Sequence, residues 1–257
     1  MNIRLVVRSV LFLAVGAAAV VISAGSARAA ETAAEGSCGA LFDANICTSY
    51  QMRAGRITEL TLRVPVAMIE HAPANAPMAW PPRPNLNLPF ATAVEKQTGF
   101  TYASIYWEPH GHTPAAYKVP HFDFHFYFVP KRQVEEITCK DTVKPRALPT
   151  GYALRDANVP QIGELVGLCV PAMGMHSIPD SDLNRKTPWK GSMMVGYYSG
   201  KPIFFEPMIT TALLLQKHSF SLPIPRGIEP APHVRYPREF RAVYVPGSKA
   251  YDFMFFY

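Results

Sequence analysis

Glu108, His110, His112, His121, Asp123 and His125 bring six good metal donors into one short stretch, and Tyr127 adds a weaker one just beyond. Imidazole suits zinc, copper, iron and nickel, and carboxylate oxygens extend the range to manganese. The order His121-Phe122-Asp123-Phe124-His125-Phe126-Tyr127 alternates without a break. Side chains two apart on a strand share a face. A strand over His121–Val129 therefore aims His121, Asp123 and His125 one way and Phe122, Phe124, Phe126 and Phe128 the other. If the phenylalanines take the core, the imidazoles must meet water or a polar cavity. Pro109, Gly111 and Pro114 break the preceding chain into a turn, which could carry His110 and His112 over such a cavity. The plainer reading is a solvent-facing strand whose histidines ligate nothing.

The elements that would hold these residues are mostly strands. Ile57–Val64 alternates apolar and polar residues, as a half-buried strand does. Tyr102–Trp107 reads as another. Ser192–Tyr198 and Pro202–Phe205 flank Ser199-Gly200-Lys201 and predict a hairpin that Glu206–Thr210 ends. Arg238–Val245 and Tyr251–Tyr257 flank Pro246-Gly247-Ser248-Lys249 and predict a second. Val66–His71, Lys131–Ile137 and Thr211–Lys217 suit short helices, and Phe90–Thr98 suits a helical turn or an extended edge. Residues 30–37 are small and polar and read as a disordered start. Six prolines make Ala72–Pro89 a loop, and Thr142–Pro160 is loop-like. The expected fold is mainly β, an antiparallel barrel or sandwich with a few short helices. It would be one β-rich domain over 57–257, preceded by a disulfide-bearing segment at 30–56.

The first 29 residues have the layout of a secretory signal peptide. Arg4 and Arg8 precede the apolar run Val10–Ile22, and Ala27-Arg28-Ala29 offers small residues for cleavage after Ala29. The run is too short for a membrane-spanning helix, which needs roughly 20 residues. Export to the periplasm or beyond follows as the expected localisation. Of the net charge of +6, three units belong to Arg4, Arg8 and Arg28. No basic stripe remains that would suit nucleic acid. The alternating Tyr251, Phe253, Phe255 and Tyr257 resemble the last strand of an outer-membrane barrel. The 25 prolines argue against the repeated strands such a barrel needs, so no stable membrane insertion is expected.

Four cysteines in an exported chain suggest two disulfides, with three pairings open. Cys38–Cys47 and Cys139–Cys169 are favoured because each closes a local loop. Four-thiolate zinc is the rival, but no C-x-x-C spacing supports it. No G-x-S-x-G setting or glycine-rich phosphate loop appears. His71, His218 and His233 stand alone and read as structural or exposed.

Pro109-His110-Gly111-His112-Thr113-Pro114, Tyr117 and Val119-Pro120-His121-Phe122-Asp123-Phe124-His125-Phe126-Tyr127 carry a more specific likeness. Val170-Pro171-Ala172-Met173-Gly174-Met175-His176 and Phe205-Glu206-Pro207-Met208-Ile209-Thr210 share it. From about Ile57 to Tyr257 the chain resembles the uncharacterised bacterial exported family of the Thermus sigma-E-controlled hypothetical protein, a domain of unknown function. In that family the first motif reads P-x-G-H-x-P, which His112 matches and His110 does not. Its members often carry M-G-x-H-W, where this chain has Ser177 after His176. The resemblance implies a compact β-rich domain and no particular reaction.

These motifs also suggest distant contributors. His176 stands two residues after Gly174 and so near a turn, and Glu206 could point where His125 points. The expected centre is one ion held by His112, His121, His125 and one or both of His176 and Glu206. Asp123 would be a ligand or would fix an imidazole tautomer. Zinc is the favoured ion, with copper, iron or manganese as alternatives. Three functions compete: an exported metal-binding protein, a metal-dependent enzyme acting on a small molecule, and a metal-free small-ligand-binding β-barrel. Homo-oligomerisation is left open.

Overall fold

A computed structural model describes residues 31–257 apart from Met78 and Pro230. The signal-peptide expectation falls outside the described residues. In chain order the strands are β1 (Glu31–Leu41), β2 (Ala44–Arg53), β3 (Arg56–Pro65), β4 (Leu86–Pro89), β5 (Tyr102–Glu108), β6 (His121–Tyr127), β7 (Tyr152–Ala153), β8 (Ala157–Val159), β9 (Gly163–Leu165), β10 (Met175–Pro179), β11 (Gly191–Tyr198), β12 (Lys201–Thr210), β13 (Phe220–Leu222), β14 (Glu239–Val245) and β15 (Ala250–Phe256). Five short helices join them: α1 (Val66–Glu70), α2 (Thr92–Thr98), α3 (Lys131–Glu135), α4 (Asp180–Leu183) and α5 (Thr211–Leu214).

Two antiparallel sheets face one another, in the orders β1-β2-β3-β15-β14-β13 and β4-β5-β6-β12-β11-β10-β7. The fold is a sandwich, and the barrel alternative is overturned, because among the described residues each sheet keeps two unpaired edges. Aromatic residues lock the layers together. Phe124 of β6 meets Phe253 of β15 edge-on at 4.8 Å, and Phe126 meets Phe255 at the same distance. Phe122, Phe124 and Phe126 are all fully buried. Burying a phenylalanine stabilises by about 1.5–3 kcal/mol. A one-residue slip of β6 would turn all three away from the core, so its register is strongly fixed.

That register sends His121, Asp123, His125 and Tyr127 to the far face of the second sheet. The far face is largely covered too. Tyr117, Leu168, Ile178, Trp189, Met194 and Met208 form a smaller second core over it. The polar side of β6 therefore lies between two apolar layers.

Several expectations need correction. Residues 31–37 belong to β1, an exposed strand paired along β2, rather than to a disordered start. The proline-rich loop ends in β4, and the 142–160 segment contains β7 and β8. β12 runs on through Glu206 and Pro207 to Thr210. Both favoured disulfides are present, Cys38–Cys47 and Cys139–Cys169. No helix among the described residues is long and apolar enough to cross a membrane.

Candidate metal centre

The six predicted ligands all reach the far face, but they converge as two groups of three. His112, His121 and Asp123 form one, and His125, His176 and Glu206 the other. The single centre expected from sequence joined His125 to His112 and His121. The structure instead turns His125 toward β12 and β10. His110 is exposed and takes no part.

In the first triad, β6 supplies His121 and Asp123, and the turn after β5 folds His112 back over them. Glycine at 111 is required for this turn. Its backbone is left-handed (φ +62°), and a Cβ there would lie 1.9 Å from the Tyr117 carbonyl oxygen. His112 Nε2 and His121 Nε2 face each other at 3.2 Å. Asp123 Oδ1 lies 3.2 Å from His121 Nε2, and Oδ2 lies 3.5 Å from His112 Nε2. Zinc binds nitrogen and oxygen at about 2.0–2.2 Å, so the donors of a tetrahedral site stand about 3.3–3.5 Å apart. The three contacts fall within about 0.1 Å of that range, with each Asp123 oxygen facing one ring.

The tautomers are set from outside. His121 Nδ1 lies 2.6 Å from the Val119 carbonyl oxygen, and His112 Nδ1 lies 2.8 Å from the Thr113 carbonyl oxygen. An N–H at each Nδ1 satisfies those oxygens and leaves each Nε2 lone pair aimed at Asp123. Metal-ligating histidines are typically anchored in this way. Trp189 stands edge-on to His121 at 5.2 Å. Its indole N–H donates to Ser192 Oγ at 2.9 Å, Ser192 donates to Asp182, and the Tyr117 hydroxyl donates to Asp182 at 2.9 Å. Asp182, absent from the sequence reading, thus fixes the two rings that wall the first triad.

The second triad draws on three strands. Glu206 Oε1 lies 3.6 Å from His125 Nε2, and Oε2 lies 3.8 Å from His176 Nε2. His176 Nδ1 is anchored 3.0 Å from the Leu168 carbonyl oxygen. Along the β6–β12 ladder the matched pairs stop at Phe205–Phe126 and resume at Met208–Asp123. Pro207 lacks the N–H to continue the ladder, so the ladder is interrupted beside Glu206 and His125.

Both triads border one cavity of about 460 Å³. Its floor includes Glu108, His112, Asp123, His176 and Glu206, and its walls are apolar, among them Trp107, Leu168 and Met194. Glu108 pairs across β5–β6 with His121 but belongs to neither triad. It was legible as a donor in the sequence, yet only the cross-strand register places it here. Burial, then the charge of Asp123, raises the Glu108 carboxyl to about 7. Burial would also raise Asp123, but the charges of His121 and His112 hold it well below the ordinary carboxylate range. Burial lowers His176 to about 4 and pushes His125 well below the ordinary imidazole value. Burial, reinforced by Asp123 and Glu108, pushes Glu206 well above the ordinary carboxylate value. Among the described residues no Lys or Arg pairs with Glu108, Asp123 or Glu206.

The site and its sandwich define a β-sheet protein with buried His/Asp/Glu groups that could hold a metal ion. No family model, no curated protein and no solved structure matches the chain.

Proposed function

We propose that this chain is an exported protein that binds a divalent transition metal through His112, His121 and Asp123, with zinc the ion best suited. We further place it with the Thermus sigma-E-controlled family, on the motifs around His112, His121, His176 and Glu206. The observation that carries the metal reading is the convergence of two imidazole Nε2 atoms, 3.2 Å apart, on the Asp123 carboxylate, whose oxygens lie 3.2 and 3.5 Å from them, with both Nδ1 atoms anchored elsewhere. The two disulfides and the leader-like N-terminus support export. Metal analysis of the purified, metal-replete mature protein tests the reading. Stoichiometric zinc or a related ion is expected, and less than about a tenth of an equivalent of every transition metal overturns it.

A metal-dependent enzyme acting on a small molecule is the second reading, and Glu108 favours it. A carboxyl poised near neutrality beside a metal site, on the wall of an apolar cavity, is suited to accept a proton. A bound ion there would supply a polarised water. Turnover of small ester, amide or phosphate substrates that Glu108→Gln abolishes with the ion retained would support it. Turnover equal in the variant would remove Glu108 from any such role.

A further inference from the structure

His125 has no exposed surface, and among the described residues neither of its ring nitrogens has a hydrogen-bond partner. Glu206 is buried beside it, and its Oε2 also has none. Each unsatisfied buried polar group costs about 1–3 kcal/mol, so three such atoms at one point would be an expensive accident. Both residues sit where Pro207 interrupts the ladder. His176 approaches from β10 with its Nδ1 anchored, leaving Nε2 toward Glu206. Two imidazoles and a carboxylate, with His176 and Glu206 on the cavity floor and His125 buried beside them, are a donor set for a first-row divalent cation.

We propose that His125, His176 and Glu206 bind a second divalent transition-metal ion, separate from the one assigned to His112, His121 and Asp123. The two triads share no residue. Each also has its own carboxylate, Asp123 in one and Glu206 in the other. Two divalent ions would balance the three carboxylates that Lys and Arg leave unpaired and carry the floor one unit positive. The proposal shares the chemistry of the first site but not its residues, so either can fail alone.

Zinc binding by the full mature chain decides it, read as equivalents retained after gel filtration. Wild type is expected to hold two ions. Glu206→Gln and His176→Ala should each lower this to one, as should His121→Ala at the other triad. One ion in wild type, lost in His121→Ala but kept in Glu206→Gln, overturns the second site and leaves the first standing. Two ions in wild type that neither Glu206→Gln nor His176→Ala reduces also overturns it. No ion at all defeats both assignments. His176, which borders the cavity, is the variant that reports should Glu206→Gln not fold, and the wild-type count stands without either.

Discussion

His112 and His121 present their Nε2 atoms to each other at 3.2 Å while their Nδ1 atoms face backbone carbonyls. If both Nδ1 atoms carry protons, the facing nitrogens are two lone pairs, which repel unless a proton or a cation lies between them. A metal ion would resolve this and also engage Asp123.

His121→Ala is therefore expected to weaken zinc binding by more than the roughly 10–100-fold typical of losing an outer hydrogen-bond partner. His110→Ala, on the exposed side of the same turn, should change it by less than about twofold. Competition with a chromophoric chelator measures both. Equal losses in the two variants would move the site out to the turn.

Metal binding should release protons. In the metal-free chain burial lowers His112, but the hydrogen bond and charge of Asp123 outweigh it and raise the imidazole to about 9. A raised imidazole stabilises the fold fully below its unfolded value of about 6.5, and that contribution fades as pH climbs through about 9. A ligating imidazole must be neutral, so zinc displaces this proton at pH 7. Burial likewise favours the protonated form of Glu206, so occupation of the second triad works against its protonation. Affinity should rise with pH from about 6 to 9. The apparent binding enthalpy should differ between phosphate and Tris by their ionisation enthalpies. Identical enthalpies in the two buffers would contradict proton release.

The two disulfides should separate stability from metal retention. Cys139–Cys169 spans 30 residues, and a chain-entropy estimate puts its contribution at about 3–4 kcal/mol. Replacing both cysteines by alanine should lower the melting temperature by roughly 10 °C. Cys169 follows Leu168, whose carbonyl faces His176 Nδ1, so the ion at His125, His176 and Glu206 should be lost first. Cys38–Cys47 closes a hairpin far from either triad, so its removal should lower stability without changing metal content. Metal analysis beside differential scanning calorimetry reads both effects, and equal metal loss in the two double variants would break the link through Leu168.

Much of this was legible because period two is a strong signal. Phe122, Phe124 and Phe126 announced the core side of β6, and its donors had to fall on the other. The hairpin β14–β15 was visible for the same reason. β1 was hidden because it pairs through its backbone while its small polar side chains bury little. Pro207 concealed the length of β12, since proline is rare inside a central strand. The division into two triads was also beyond the sequence. Order along β6 says that His121, Asp123 and His125 share a face, but only the neighbours on β10 and β12 decide that His125 turns away from the other two.

Gly196 offers the sharpest test of how the second triad is built. His176, Gly196, Phe204 and Tyr127 stand side by side across β10, β11, β12 and β6. With no side chain at 196, the Phe204 ring falls into the gap. A Cβ there would meet three ring carbons at 1.9, 2.0 and 2.3 Å. The ring has little room to retreat, because its centroid already lies 4.6 Å from His125, 5.2 Å from His176 and 5.2 Å from Tyr127. Gly196→Ala should then cost at least the 1–3 kcal/mol or so typical of overpacking a core. Because two of the three rings that Phe204 would push are His125 and His176, the ion of the second triad should be lost while His112, His121 and Asp123 keep theirs. Urea denaturation of the metal-free variant and zinc analysis of the replete one measure the two effects. A variant within about 0.5 kcal/mol of wild type that retains both ions would show that Phe204 has a second resting place and does not hold the imidazoles.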